Sequence, residues 1–125
     1  MYRLGVRRKF SARHYLTGGN WGDENIEHTH SYQLELILEK KELDHHGFLV
    51  DIDEVEHHLD EVTATFQDQT LNTLAAFKDS NPSIEILATI INDMFRERFA
   101  SFQLEALTVV IWEDDIAWTS YRAIL

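Results

Sequence analysis

Residues 2–16 and 27–40 alternate in polarity, and a glycine-rich stretch separates them. In the first run Tyr2, Leu4, Val6, Arg8, Phe10, Ala12, His14 and Leu16 share one face. In the second, His28, His30, Tyr32, Leu34, Leu36 and Leu38 share one face, while Thr29, Ser31, Gln33, Glu35, Ile37 and Glu39 share the other. Successive side chains of a strand point to opposite faces, so each run reads as a long half-buried strand. The intervening "TGGNWGDEN" has the composition of a loop, and the two strands are expected to pair as a hairpin.

After the "KKELDHHG" loop the period changes. Ile52, Val55, Leu59, Val62 and Phe66 are spaced by 3, 4, 3 and 4 with acids between them, which predicts an amphipathic helix starting near Asp51. A less regular segment runs to Ser80. "NPSIEILATIINDMFRERF" then predicts a second helix with Asn81 as N-cap and Pro82 at its first position, buried through Ile84, Leu87, Ile91, Met94 and Phe95. "LEALTVVIWED" reads as a strand with Leu107, Val109, Ile111 and Glu113 on one face, and "IAWTSYRAIL" as the last strand, reached through a tight turn at Asp114 and Asp115. The expected class is α+β in the order β-β-α-α-β-β: a four-stranded antiparallel sheet with two helices covering one face. The other face keeps apolar residues, which points to burial by oligomerisation.

Composition narrows the chemistry. The chain has 125 residues and 44% hydrophobic content, enough for one domain with a core of its own. Its formal net charge of -11 argues against nucleic acid or anionic membrane as a partner. The basic start "YRLGVRRKF" lacks the apolar core of a signal peptide, and no apolar run approaches the roughly 20 residues of a membrane span. The chain contains no cysteine, which fits a cytoplasmic protein and leaves only histidine and carboxylate as metal ligands.

His28 and His30 stand at i and i+2 of a strand, so their rings project from one face roughly 7 Å apart along the chain. A catalytic zinc site uses three protein ligands and leaves a position open, and His14 on the paired strand is the natural third ligand. The H-x-H spacing fits equally the polar surface of an edge strand, and the pattern alone does not choose.

Read in order, "FSARHYL", "EHTHSY", "GFLVDIDEVEHHL", "NPSIEILA" and "VVIWEDDIAWTSY" resemble the 6-pyruvoyl-tetrahydropterin synthase family, which also holds the 6-carboxy-tetrahydropterin synthases of queuosine biosynthesis. The resemblance covers nearly the whole chain and implies one pterin-synthase-like domain over residues 1–125. It implies the family's tunnelling fold, in which sheets join into a barrel within a homo-oligomer, often a hexamer built as a dimer of trimers. It also implies a Zn²⁺ triad at His14, His28 and His30, and substrate contacts at Glu113 and Ser83. A carboxylate at Glu113 suits the role, because it accepts paired N–H bonds from the amino-pyrimidine edge of a pterin.

The chain also departs from the family. The family's cysteine, four residues ahead of the H-x-H in bacterial members, is Glu24 here. A branch of the family with glutamate in place of cysteine cleaves the side chain of dihydroneopterin, giving 6-hydroxymethyl-dihydropterin, so the resemblance implies a base role for Glu24; Glu27 is the second candidate. The family's Asp-His pair is replaced by Gln67 and Asp68, leaving Asp68 as a partial substitute without its imidazole. Thr29 and Ile86 replace a glycine and an asparagine of the family motifs, Glu85 reads as a helix-capping residue, and His57 and His58 read as surface or interface residues. Three functional expectations follow. One is a zinc-dependent lyase acting on a reduced pterin such as dihydroneopterin or its triphosphate. The second is a catalytically silent paralogue that binds metal and a pterin or purine. The third is a scaffold-like oligomer with no metal.

Overall fold

The computed structural model describes residues 1–125. Strands β1 (Tyr2–His14) and β2 (His28–Lys40) are followed by helices α1 (Ile52–Phe66) and α2 (Ile84–Arg98), then by strands β3 (Ala106–Glu113) and β4 (Ala117–Ile124). The strands form one antiparallel sheet of four in the order β1-β2-β3-β4. The expected α+β architecture is therefore the observed one.

The alternation sets the register. β1 and β2 pair without interruption from Tyr2 opposite Lys40 to His14 opposite His28. This aligns Phe10 with Tyr32 and Ala12 with His30, and sends all of them to the face that the helices cover. β3 continues that face, with Leu107, Val109 and Ile111 opposite Leu38, Leu36 and Leu34. α1 contributes Val55, Leu59, Val62 and Phe66, and α2 contributes Ile84, Leu87, Ile91 and Phe95, to the same core. Leu34, Leu36 and Leu38 are all fully buried. Burial of one such side chain stabilises by about 1.5–3 kcal/mol.

Two details of α2 differ from the sequence expectation. Ser83, not Asn81, is the N-cap: its hydroxyl accepts from the Ile86 N–H at 3.2 Å. The Asn81 side chain is committed elsewhere, accepting from the Thr17 N–H at 2.9 Å and donating to the Thr17 carbonyl at 3.1 Å, so it cannot also close the helix. Pro82 consequently lies one residue before the cap. Asn92 joins the buried stripe, and Met94 is only partly buried. β1 ends at His14, because the chain leaves the sheet there and is held by loop contacts instead.

No helix covers the opposite face of the sheet. It presents Arg3, Arg7, Lys9 and Arg13 from β1, Ile37 from β2, Val110 and Trp112 from β3, and Trp118 and Ile124 from β4. Trp118 and Ile124 are largely exposed, and the Trp112 and Trp118 rings lie 6.2 Å apart.

Candidate metal centre

The loop end of the β1–β2 hairpin places His14 directly opposite His28, with His30 two residues further along the same face. Side-chain alternation and cross-strand pairing therefore bring the three imidazoles together. Their ring centroids form a triangle with sides of 4.6, 4.7 and 4.7 Å, and the ring planes stand at 74–87° to one another. His14 and His30 are buried and His28 is a quarter exposed.

The hydrogen bonds define the tautomers. Nδ1 of His14 faces the Pro82 carbonyl at 2.9 Å, Nδ1 of His28 faces the Ile26 carbonyl at 2.6 Å, and Nδ1 of His30 faces Asp114 Oδ2 at 2.8 Å. A carbonyl or a carboxylate only accepts, so each Nδ1 carries the proton and donates it. In a neutral ring Nε2 is then a bare lone pair. The Nε2 atoms converge, at 3.1 Å between His14 and His28 and 2.9 Å between His28 and His30. Lone pairs facing each other at that distance repel unless a proton or a cation lies between them. Tetrahedral zinc with bonds of about 2.0–2.1 Å sets its nitrogens roughly 3.3 Å apart, close to the observed spacing. The donor set thus fits a divalent cation of zinc's preferences, with outer partners that already fix each ligand's orientation.

Burial is the main influence on His14, holding its pKa below the ordinary histidine value against the opposing bond to Pro82. A neutral His14 near pH 7 is the form that binds metal.

Glu24 completes the group. Its Oε2 lies 3.0 Å from His28 Nε2 and 3.9 Å from His14 Nε2, and the ligand atoms of His14, Glu24, His28 and His30 all fall within 4.8 Å of one another. It comes from a single 3₁₀ turn, Gly22–Asn25, which begins at a left-handed glycine (φ +63°). The Asn25 amide pins the turn by donating to the carbonyls of Leu16 and Gly19, while the Leu16 N–H donates to the Glu24 carbonyl. The backbone is held while the Glu24 side chain remains about half exposed.

Glu113 borders the same centre, with Oε1 3.7 Å from His30 Nε2. It pairs with Tyr32, whose hydroxyl is buried without a hydrogen-bond partner. Burial, reinforced by Glu113, Asp114 and Glu24, pushes the Tyr32 hydroxyl well above its ordinary range and keeps it protonated.

The remaining sequence-derived candidates lie apart from the imidazoles. Asp68 sits in an exposed left-handed turn after α1 (φ 59°), where its carboxylate accepts from the Gln67 amide and its N–H donates to the Ser11 carbonyl. The Ser83 hydroxyl is occupied in capping α2, although its neighbour Pro82 supplies the acceptor for His14. Glu27 accepts from the Thr70 hydroxyl and is not one of the converging groups. His57 pairs with Glu61 on the surface, and the His58 ring packs on Phe99 at 4.9 Å.

Asp114 and the Pro82 carbonyl were not singled out from the sequence. Asp114 read only as a turn residue, and its adjacency to Glu113 was the one available signal.

Comparison with known proteins adds an independent result. Residues 3–123 match the family described as 6-pyruvoyl tetrahydropterin synthase. Among solved structures, the 6-pyruvoyl tetrahydropterin synthase of Caenorhabditis elegans is similar with a TM-score of 0.82 and 20% identity, over 98% of this chain and 95% of that one. The Plasmodium vivax synthase is similar with a TM-score of 0.84 and 12% identity, over 99% and 98%. That P. vivax enzyme is also solved with a catalytic glutamate changed to alanine and to cysteine, each structure matching with a TM-score of 0.81. No curated protein matches the chain.

Proposed function

The chain belongs to the 6-pyruvoyl tetrahydropterin synthase family, and on that premise we propose that it is a zinc-dependent lyase of pterin metabolism acting on dihydroneopterin or its triphosphate. The observation that carries this reading is the convergence of three Nε2 lone pairs whose Nδ1 protons are all already donated. His14, His28 and His30 hold the metal. Zinc, when bound there, polarises the oxygens of the substrate's side chain and lowers the pKa of their hydroxyls.

The residues of the chain supply the rest. Glu113 accepts the N–H groups of the amino-pyrimidine edge and so orients the ring. Ser83 is the second candidate substrate contact, as its hydroxyl can accept or donate beyond its cap bond. Glu24 takes a proton from a side-chain hydroxyl. The carbon–carbon bond next to that hydroxyl then breaks, a two-carbon aldehyde leaves, and the proton returns to the carbon still attached to the ring. Glu24 suits this work because it reaches the ligand atoms while its side chain stays free to turn. A glutamate serving as catalytic residue in the P. vivax relative supports the assignment. Asp68 is a candidate to relay a proton from outside the converging group.

The uncovered sheet face, with Trp112, Trp118 and Ile124, supports a homo-oligomer, for which a hexamer built as a dimer of trimers is the proposed form. No helix is long and apolar enough to cross a membrane, and with the absence of cysteine this supports a cytoplasmic location.

A second reading has its own support. Asp68 lies away from the imidazoles and lacks a histidine partner, which favours a silent paralogue that binds metal and a pterin or purine. Incubation of the zinc-loaded protein with dihydroneopterin and with its triphosphate, followed by product analysis, separates the two. Formation of 6-hydroxymethyl-dihydropterin, lost in Glu24→Gln with zinc retained, establishes the lyase. Tight pterin binding without product establishes the silent paralogue.

A further inference from the structure

His30 differs from the other two imidazoles in what holds it. His14 and His28 donate to neutral backbone carbonyls, whereas His30 donates to a carboxylate, Asp114 Oδ2, at 2.8 Å. The other oxygen of Asp114 accepts from the Ser31 N–H at 3.1 Å, and the Asp114 N–H donates to the Ser31 carbonyl at 2.7 Å. Asp114 is thus fixed from both sides to the residue that follows His30 in β2. It achieves this from a left-handed backbone (φ 52°), a conformation that costs a non-glycine residue energy and persists where surrounding contacts impose it. Its neighbour Asp115 occupies the same turn and makes no bond to the histidine.

We infer that Asp114 is a positioning residue of the metal centre, a carboxylate strut that fixes the orientation and tautomer of His30 and strengthens Nε2 as a ligand. A carboxylate behind an imidazole raises the basicity of the opposite nitrogen, and outer partners of this kind are worth about 10–100-fold in metal affinity. Because Glu113 immediately precedes it, the β3–β4 turn carries the proposed ring anchor and the strut together. The inference rests on the metal reading above and adds an unequal division of labour among the ligands.

The test measures affinity of the full chain for Zn²⁺ by chelator competition, and records the visible absorption of its Co²⁺ form. Asp114→Asn tolerates the left-handed backbone but offers one amide oxygen in place of two, so it removes the charge and, with Ser31 still bonded, turns an NH2 donor toward the His30 Nδ1–H. Asp114→Ala removes the strut. Asp115→Ala removes an equal charge from the same turn. The expected result is a loss of affinity of about 10–100-fold in Asp114→Ala, a loss of comparable size in Asp114→Asn, a shifted Co²⁺ spectrum in both, and an unchanged Asp115→Ala. Thermal unfolding of the metal-free Asp114→Asn protein stays close to the parent. Parent-like affinity and spectrum in Asp114→Ala overturn the proposal, as does an equal loss in Asp115→Ala, which assigns the effect to charge alone. A parent protein that takes up no metal removes the metal centre itself, which is a separate failure.

Discussion

The two ends of the β1–β2 hairpin are built from the same alternating strands, yet they handle polar groups in opposite ways. At the Lys40 end, Glu39 is buried, and its carboxylate meets the Arg122 guanidinium at 2.7 Å across β3. Nearby, the Asn92 amide of α2 donates to the carbonyls of Leu107 and Tyr121, tying the helix to β3 and β4. There charge meets charge and the Asn92 amide protons meet carbonyls, while Asn92 Oδ1 and the Thr108 hydroxyl are buried without a partner. At the His14 end, three Nε2 lone pairs and the carboxylates of Glu24 and Glu113 face inward with no cationic side chain among them. An end whose charges are paired within the chain serves folding. An end that collects acceptors is complete only when something positive arrives.

The largest effect that would break this comparison is in metal binding. His30→Ala should lower zinc affinity by more than the about 100-fold that marks the upper range for an outer partner, while leaving the metal-free protein folded. Unchanged affinity in competition with a chelator would remove the contrast altogether.

The next effect is stabilisation by the ion. Zinc at about 100 times the parent Kd should add about 2.7 kcal/mol to the stability of the parent protein and less than about 0.4 kcal/mol to His30→Ala, as read from thermal unfolding. Acid reverses it. Burial holds the His14 pKa below its ordinary value, so the unfolded chain takes up that proton first. Stability is therefore lost as pH falls below about 6.5, and the displacement of metal by protonation acts in the same direction. Added zinc that stabilises equally at pH 5 and pH 7 would contradict a histidine site.

Asn92→Ala tests the opposite end. It deletes two donors to buried carbonyls and should cost about 1–3 kcal/mol of stability without changing metal affinity. A parallel drop in affinity would show that the ends are not independent.

The smallest effect belongs to the surface-facing ion pair. The Arg122 hydrogen bond holds the Glu39 carboxyl below its ordinary value, so its contribution is present above the usual glutamate range and is lost as pH falls through its depressed value. Glu39→Gln should flatten that part of the acid unfolding profile and change the Tm near neutral pH by only a few degrees, roughly 2–4 °C, since Arg122 is half exposed.

Much of this molecule was legible in advance because periodicity is a direct print of backbone geometry. The change from a period of two at Leu38 to spacings of three and four at Ile52 marked the passage from sheet to helix, and the structure has the expected element order. His14, His28 and His30 were legible for the same reason: alternation put each of them on the face of Phe10 and Tyr32, and the resemblance named them as a set. The cap of α2 was not legible, because Asn81 and Ser83 are both good capping residues and only the contact with Thr17 removes Asn81 from the competition.

Local sequence thus settled which face each side chain takes, where the chain turns, and which residue types a cation could use. Folding settled which acceptor stands behind each imidazole, that Glu24 reaches the ligand atoms while Glu27 is taken by Thr70, and that Asp114 rather than Asp115 meets His30. Periodicity acts over a few residues and is written in the chain itself. A hydrogen bond between His30 and Asp114 spans 84 positions and depends on strand register, and that register is known only once β2 and β3 are side by side.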